Sequence, residues 1–138
     1  MSLKLSQLAV GDTHEAVVAS DLTRTQIVQY AGASGDYNPL HSDEVYATQV
    51  AGYPSVFAHG MLTMGMAGRM LTDYVGDGRL LAFGGRFKAQ VWPGDQLIAS
   101  ATVNALRPLE GMIDLDVTVR NGHGVQVFAG YASARVDA

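Results

Sequence analysis

The chain has 138 residues, with 9 Lys and Arg against 13 Asp and Glu, a formal charge of −4 and no cysteine. This length fits a single domain, 1–138, and 48% apolar with 16% charged residues can build a core and excludes a disordered chain. The acidic balance, without any Lys/Arg run, excludes a nucleic-acid footprint, and the missing cysteines exclude disulfides, zinc–thiolate centres and thiol catalysis.

Residues 1–12 carry one Lys and no continuous apolar stretch, so they are not read as a secretory signal. Together with the cysteine-free composition this fits a cytoplasmic protein. A first strand is predicted over 13–20, where valines and alanines follow His14 and Glu15. Thr23 is placed to cap a helix through Ile27, Val28 and Tyr30, with Ile27 and Tyr30 on one face. Gly32 and Gly35 are expected to break it. Asn38-Pro39 follows as a turn, or as a cap with proline at the first helical position. Ser42-Asp43-Glu44 then opens a short helix ending near Gly52.

The stretch 45–68 holds no Asp, Glu, Lys or Arg, but Thr48, Gln49, Pro54, His59, Thr63 and four glycines interrupt it. It falls short of the roughly 20 predominantly apolar residues of a membrane span, and a buried soluble helix is expected instead. Between His59 and Tyr74 the residues Met61, Leu62, Met64, Met66, Met70 and Leu71 lie nearly all round such a helix, which predicts burial on every side. Gly60, Gly65 and Gly68 each lower helix propensity by up to about 1 kcal/mol relative to alanine, which predicts close approach of backbone to a sheet or a ligand. The low charge and this helix together point to cover from another subunit.

After Gly76-Asp77-Gly78 the apolar period falls from about 3.6 to about 2. Strands are predicted over 80–90, 96–107, 112–121 and 125–136, separated by turn chemistry at 92–95, 108–111 and 121–124. The short connections imply antiparallel hairpins. The expected architecture is α+β, a curved antiparallel sheet wrapped around one central helix. In the second half, Arg69, Arg79, Arg86 and Lys88 lie close in sequence and could meet an anionic ligand, although solvated surface explains any one of them more simply.

Two segments carry chemistry. In the first, Asp36 and His41 flank Asn38-Pro39, so a carboxylate and an imidazole can converge on one small volume. Such a pair can hold a water, take its proton and deliver a proton elsewhere. On local pattern alone, a capped turn with two surface polar groups accounts for them more simply. The second is Phe57-Ala58-His59-Gly60-Met61 at the start of the long helix, where free N–H groups and the positive dipole end gather. The Gly60 N–H there has the character of an oxyanion-hole donor, and His59 that of a ligand contact or a hydrogen-bonded core histidine. Asp36, His41 and His59 have the residue types of a two-His-one-carboxylate iron site, but no metal spacing supports one, and none is expected. No Gly-x-Ser-x-Gly elbow, Walker A loop or dinucleotide fingerprint is present.

At these residues the sequence resembles the MaoC-like dehydratases, or (R)-specific enoyl-CoA hydratases (hydratase 2), of hot-dog fold. The likeness rests on Tyr30, Ser34-Gly35-Asp36, Asn38-Pro39-Leu40-His41 and Ala47, then on Ala58-His59-Gly60-Met61-Leu62. It continues through Gly85-Arg86-Phe87 and Val91-Trp92-Pro93-Gly94-Asp95, with Ala33 as a conservative departure. It implies reversible addition of water to a trans-2-enoyl thioester, giving the (3R)-hydroxyacyl thioester, without a cofactor. By resemblance, Asp36 and His41 are the catalytic dyad, with His41 as base on the water. The Gly60 N–H polarises the thioester carbonyl, Asn38 fixes the loop, and Phe57, His59 and Met61 contact substrate. The partners implied are acyl-CoA or acyl carrier protein, and a second hot-dog subunit in a homodimer or heterodimer. Dehydratase subunits of bacterial fatty-acid elongation look most similar. The alternative is a hot-dog thioesterase or a non-catalytic acyl-binding subunit. Against the first, 59–69 lacks the acid such a thioesterase uses on its long helix; against the second, both dyad residues are present.

Overall fold

A computed structural model describes residues 3–138. The first strand, β1, is Thr13–Ala19. Helix α1, Arg24–Ser34, begins with a capping box: the Gln26 N–H donates to the Thr23 hydroxyl at 3.0 Å, and the Thr23 N–H donates to Gln26 Oε1 at 2.9 Å. The helix runs through Gly32 and ends at Gly35, so only one of the two expected breakers breaks it. Gly35 stands at φ 77°, a left-handed conformation suited to closing a helix, while Gly32 needs no positive φ. Ile27 and Ala31, four apart, are its buried residues, and Tyr30 is half-buried.

A 3₁₀ turn at Pro39–His41 follows, capped by Asn38, whose side-chain oxygen accepts from the Leu40 N–H at 3.0 Å. The short helix expected before Gly52 forms, but as a π-turn over Tyr46–Val50. Then comes α2, Gly60–Val75, with His59 as its N-cap residue. Its buried side chains are Thr63, Ala67, Met70, Leu71 and Val75, a single stripe. The expectation of burial on every side is corrected here. Met61 is 54% exposed, and Gly65 and Arg69 are exposed, because one sheet covers one face and, among the described residues, nothing covers the other.

The remaining strands are β2 (Leu80–Phe87), β3 (Leu97–Arg107), β4 (Met112–Asn121) and β5 (Gln126–Arg135). All pairings are antiparallel, and the sheet order is β1-β3-β4-β5-β2. Hairpins form between β3 and β4 and between β4 and β5. The hairpin expected between β2 and β3 does not form. β2 pairs with β5, from Leu80↔Ala134 to Phe87↔Phe128, and β3 pairs with β1, so the chain crosses between opposite sides of the sheet. The 92–95 turn is held to the β1–α1 connection, with the Gly94 N–H donating to the Leu22 carbonyl at 2.7 Å and the Leu22 N–H to the Asp95 carbonyl at 2.9 Å.

α2 touches all five strands, so the sheet wraps around it in the hot-dog arrangement. The core between them is built from Leu97, Ala99, Ile113, Leu115, Val117 and Phe128, all fully buried. Each large aliphatic among them contributes about 1.5–3 kcal/mol of burial. The two ends of the described chain meet: the Leu5 N–H donates to the Asp137 carbonyl at 2.7 Å, and the Asp137 N–H to the Leu3 carbonyl at 3.0 Å. No helix among the described residues is long and apolar enough to cross a membrane.

Candidate active site

The loop after α1 is shaped by its own polar residues. The Ser34 hydroxyl accepts from the Asp36 N–H at 3.2 Å, and Asp36 Oδ1 accepts from the Asn38 N–H at 3.3 Å. Asn38 then caps the turn that carries His41. These bonds aim Asp36 and His41 toward the segment that enters α2. Phe57 and Leu40 are tied there, the Phe57 N–H donating to the Leu40 carbonyl at 3.2 Å. Glu44 braces the same segment, accepting from Arg24 at 2.6 Å and from the Val56 N–H at 3.3 Å.

His41 Nδ1 lies 2.6 Å from the Phe57 carbonyl oxygen. A carbonyl only accepts, so Nδ1 carries the proton and Nε2 is left with a free lone pair. His59 is 2% exposed, and its Nε2 lies 3.0 Å from the Asp36 carbonyl oxygen. The same logic puts its proton on Nε2, and Nδ1 has no partner. The two imidazoles stack at 3.8 Å with 25° between their planes, and Tyr30 stands edge-on to His59 at 4.8 Å. One ligand atom from each of Asp36, His41 and His59 falls within 4.8 Å of the others. Stacked rings hold their lone pairs in nearly parallel planes, rather than at one point about 2.0–2.1 Å from both nitrogens as a metal requires. A water held between carboxylate and imidazole suits this geometry better than an ion.

Beside the dyad lies a cleft of about 280 Å³, lined by Phe57, Gly60, Thr63, Phe87, Lys88 and Val91 among others. The Gly60 N–H opens α2 and has no acceptor among the described residues. A Cβ at Gly60 would lie 2.9 Å from the Phe87 ring, so the predicted close approach is real there and is made by a side chain of β2. At Gly68 a Cβ would touch Phe83 at 3.4 Å, and at Gly65 it would meet nothing.

The structure therefore brings together Asp36, His41, His59, Phe57 and Gly60, and places Asn38 in the loop scaffold. Met61 is not among the residues that line the cleft and is half-exposed. Of the four cations singled out, Lys88 lines the cleft, Arg79 pairs with Asp137 at 2.7 Å, and Arg69 lines a separate groove beside β1. Thr63, Phe87 and Val91 were not legible as site residues. The signal for Thr63 was its place as a polar residue one turn after Gly60 in an apolar helix.

An imidazole base and a carboxylate beside a free helix-start N–H make a site for moving protons next to a polarised carbonyl. The MaoC-like domain family is matched over residues 6–125, and the chain belongs to it. Among curated relatives, the chain is 32% identical over 131 residues to the (R)-specific enoyl-CoA hydratase of Rhodospirillum rubrum, covering 94% of this chain and 90% of that one. It is 46% identical over 67 residues to 3-hydroxyacyl-thioester dehydratase Y of Mycobacterium tuberculosis, covering 46% of this chain and 23% of that protein. The matched stretch thus spans about a quarter of the mycobacterial relative's length. The solved R-hydratase PhaJ1 of Pseudomonas aeruginosa superposes with a TM-score of 0.88 at 28% identity, over 99% of this chain and 86% of that one.

Proposed function

We propose that this chain catalyses the reversible addition of water to trans-2-enoyl thioesters, giving (3R)-hydroxyacyl thioesters. The observation that carries it is the His41 Nδ1–H···O=C bond to Phe57, which puts the neutral ring's free lone pair on Nε2, in an imidazole that has a ring nitrogen within 4.8 Å of an Asp36 carboxylate oxygen. A water between the two loses a proton to His41 Nε2 as its oxygen bonds to C3. The C2–C3 π pair shifts toward the thioester, whose oxygen gains negative charge against the Gly60 N–H. The dyad returns a proton to C2, and the enzyme ends as it began. Phe57, Phe87 and Val91 provide apolar walls for the acyl chain, and Lys88 at the cleft suits an anionic carrier, CoA or acyl carrier protein.

The relatives named above support the chemistry. The open face of α2 supports a homodimer, or a heterodimer with a second hot-dog subunit. The domain 1–138 is taken as one catalytic unit, in the cytoplasm, where the cysteine-free composition is at home. A thioesterase of this fold needs an acid near the start of the long helix, and α2 carries one acid, Asp73, near its far end.

The test is loss of the conjugated absorbance of crotonyl-CoA. His41→Ala and Asp36→Asn should each lower turnover by about 10²–10⁴-fold. Because one water serves both groups, the double variant should be little worse than either single one. Coupling to R- and S-specific 3-hydroxyacyl dehydrogenases should register R product. Thiol release without hydration, or exclusively S product, overturns the assignment.

A further inference from the structure

Thr63 is 2% exposed, lines the cleft beside Gly60, and its hydroxyl has no hydrogen-bond partner. A threonine inside a helix ordinarily settles its hydroxyl on the carbonyl four residues earlier. Here that carbonyl, of His59, receives the Leu62 N–H at 3.1 Å, and Thr63 does not join it. A buried hydroxyl left alone costs about 1–3 kcal/mol, so one on a residue that lines the cleft calls for a ligand atom. Helical side chains lean toward the N-terminus, over the preceding turn. Thr63 therefore lies over the turn that begins at Gly60, where the Phe87 ring is the neighbouring side chain.

We propose that the Thr63 hydroxyl is a second hydrogen-bond donor to the thioester carbonyl, alongside the Gly60 N–H. Two donors facing one apolar-walled cleft match an atom that only accepts and that gains negative charge during reaction, which is the thioester oxygen. This rests on the hydratase assignment and adds to it a residue that touches the reacting group.

The experiment compares wild type with Thr63→Val, Thr63→Ala and Thr63→Ser. Steady-state kinetics on crotonyl-CoA are read beside the absorbance shift of bound 2,4-hexadienoyl-CoA, whose chromophore moves to the red when its carbonyl is polarised. Thr63→Val should lose about 10²-fold in kcat with little change in KM, and should give a smaller red shift. It should melt no lower than wild type, because the hydroxyl removed has no protein partner. Thr63→Ser should restore most of both signals. If the valine variant does not fold, Thr63→Ala carries the same two readouts. Wild-type kcat and red shift in a folded Val or Ala variant overturn the proposal, as does a kcat loss with an unchanged red shift that serine fails to restore. A wild-type chain that does not hydrate crotonyl-CoA removes the hydratase assignment and this inference together. An active wild type with an indifferent Thr63 removes this inference alone.

Discussion

A backbone carbonyl decides what His41 can do. The Phe57 oxygen fixes the imidazole tautomer, and with it the nitrogen that faces water. The neighbouring Gly60 is under a similar constraint, since a Cβ there would press on the Phe87 ring at 2.9 Å. Phe87 is 49% exposed and can swing aside, so Gly60→Val should fold with a modestly lowered melting temperature. Its turnover should nevertheless fall about 10²-fold, because the branched side chain crowds the N–H that receives the carbonyl. Kinetics alongside thermal melts check this, and wild-type turnover in Gly60→Val would remove Gly60 from the site. Asp36, Asn38, Pro39 and His41 were legible as neighbours because one short turn brings them together, while the choice of a dyad over a capped turn came from the family resemblance. Phe57 and Gly60 were legible for the same local reason, at a helix start. Thr63 and Phe87 were not, because they meet only when α2 lies against β2. The exposure of Met61 was not legible, because an apolar helix does not disclose which of its faces the sheet will take.

At the level of elements, charged clusters clamp the outer surface of the sheet. Glu15 of β1 accepts from Arg120 of β4 at 3.0 Å and from Ser100 of β3 at 2.8 Å. Asp114 of β4 accepts from Ser133 of β5 at 2.7 Å and from Arg107 of β3 at 2.9 Å. Arg120, then Ser100, hold the Glu15 carboxyl below its usual range. The Ser133 hydroxyl, then Arg107, do the same for Asp114, and Arg24, then the Val56 N–H, for Glu44. A carboxyl with a depressed folded pKa adds stability above its unfolded value, near about 4, and loses it as pH falls through the folded value. The melting temperature should therefore be level from neutral pH down to about 5 and fall below about 4. Asp114→Asn should lower the neutral melting temperature slightly and flatten part of the acid slope, as the Arg107–Asp114 pair is about a third exposed and partly screened by solvent. Melts across a pH series check it, and an unchanged slope would show that Asp114 is not one of the groups responsible. The caps, the Pro39 turn and the four later strands follow local chemistry and were legible at nearly these limits. The partner of β2 was not, since a short connection favours a hairpin and only the closing of the sheet around α2 sends β2 to β5 instead.

For the whole molecule, exposed apolar side chains are the outstanding feature. Met61 at the start of α2, Leu81 of β2 and Tyr131 of β5 stand more than half exposed, on a chain with 16% charged residues. Large exposed apolar groups in such a setting mark a surface that another protein covers. The protein should therefore be a dimer at micromolar concentration by light scattering, and a stable, active monomer would remove the second subunit from the proposed function. The low charge raises this expectation from the sequence, and the exposed side chains say where to look for the contact. The junction of the chain's two ends has a different consequence. Leu3 and Leu5 are hydrogen-bonded to Asp137, so the path of the backbone is almost a closed ring. A linker across that junction and a cut in the exposed 108–111 turn would start the chain at β4 and finish it at β3. Every strand would keep its neighbours, and residues 36–60, which hold the dyad and the start of α2, would remain on one unbroken stretch. The order in which the elements are spelled is thus separable from the shape they make.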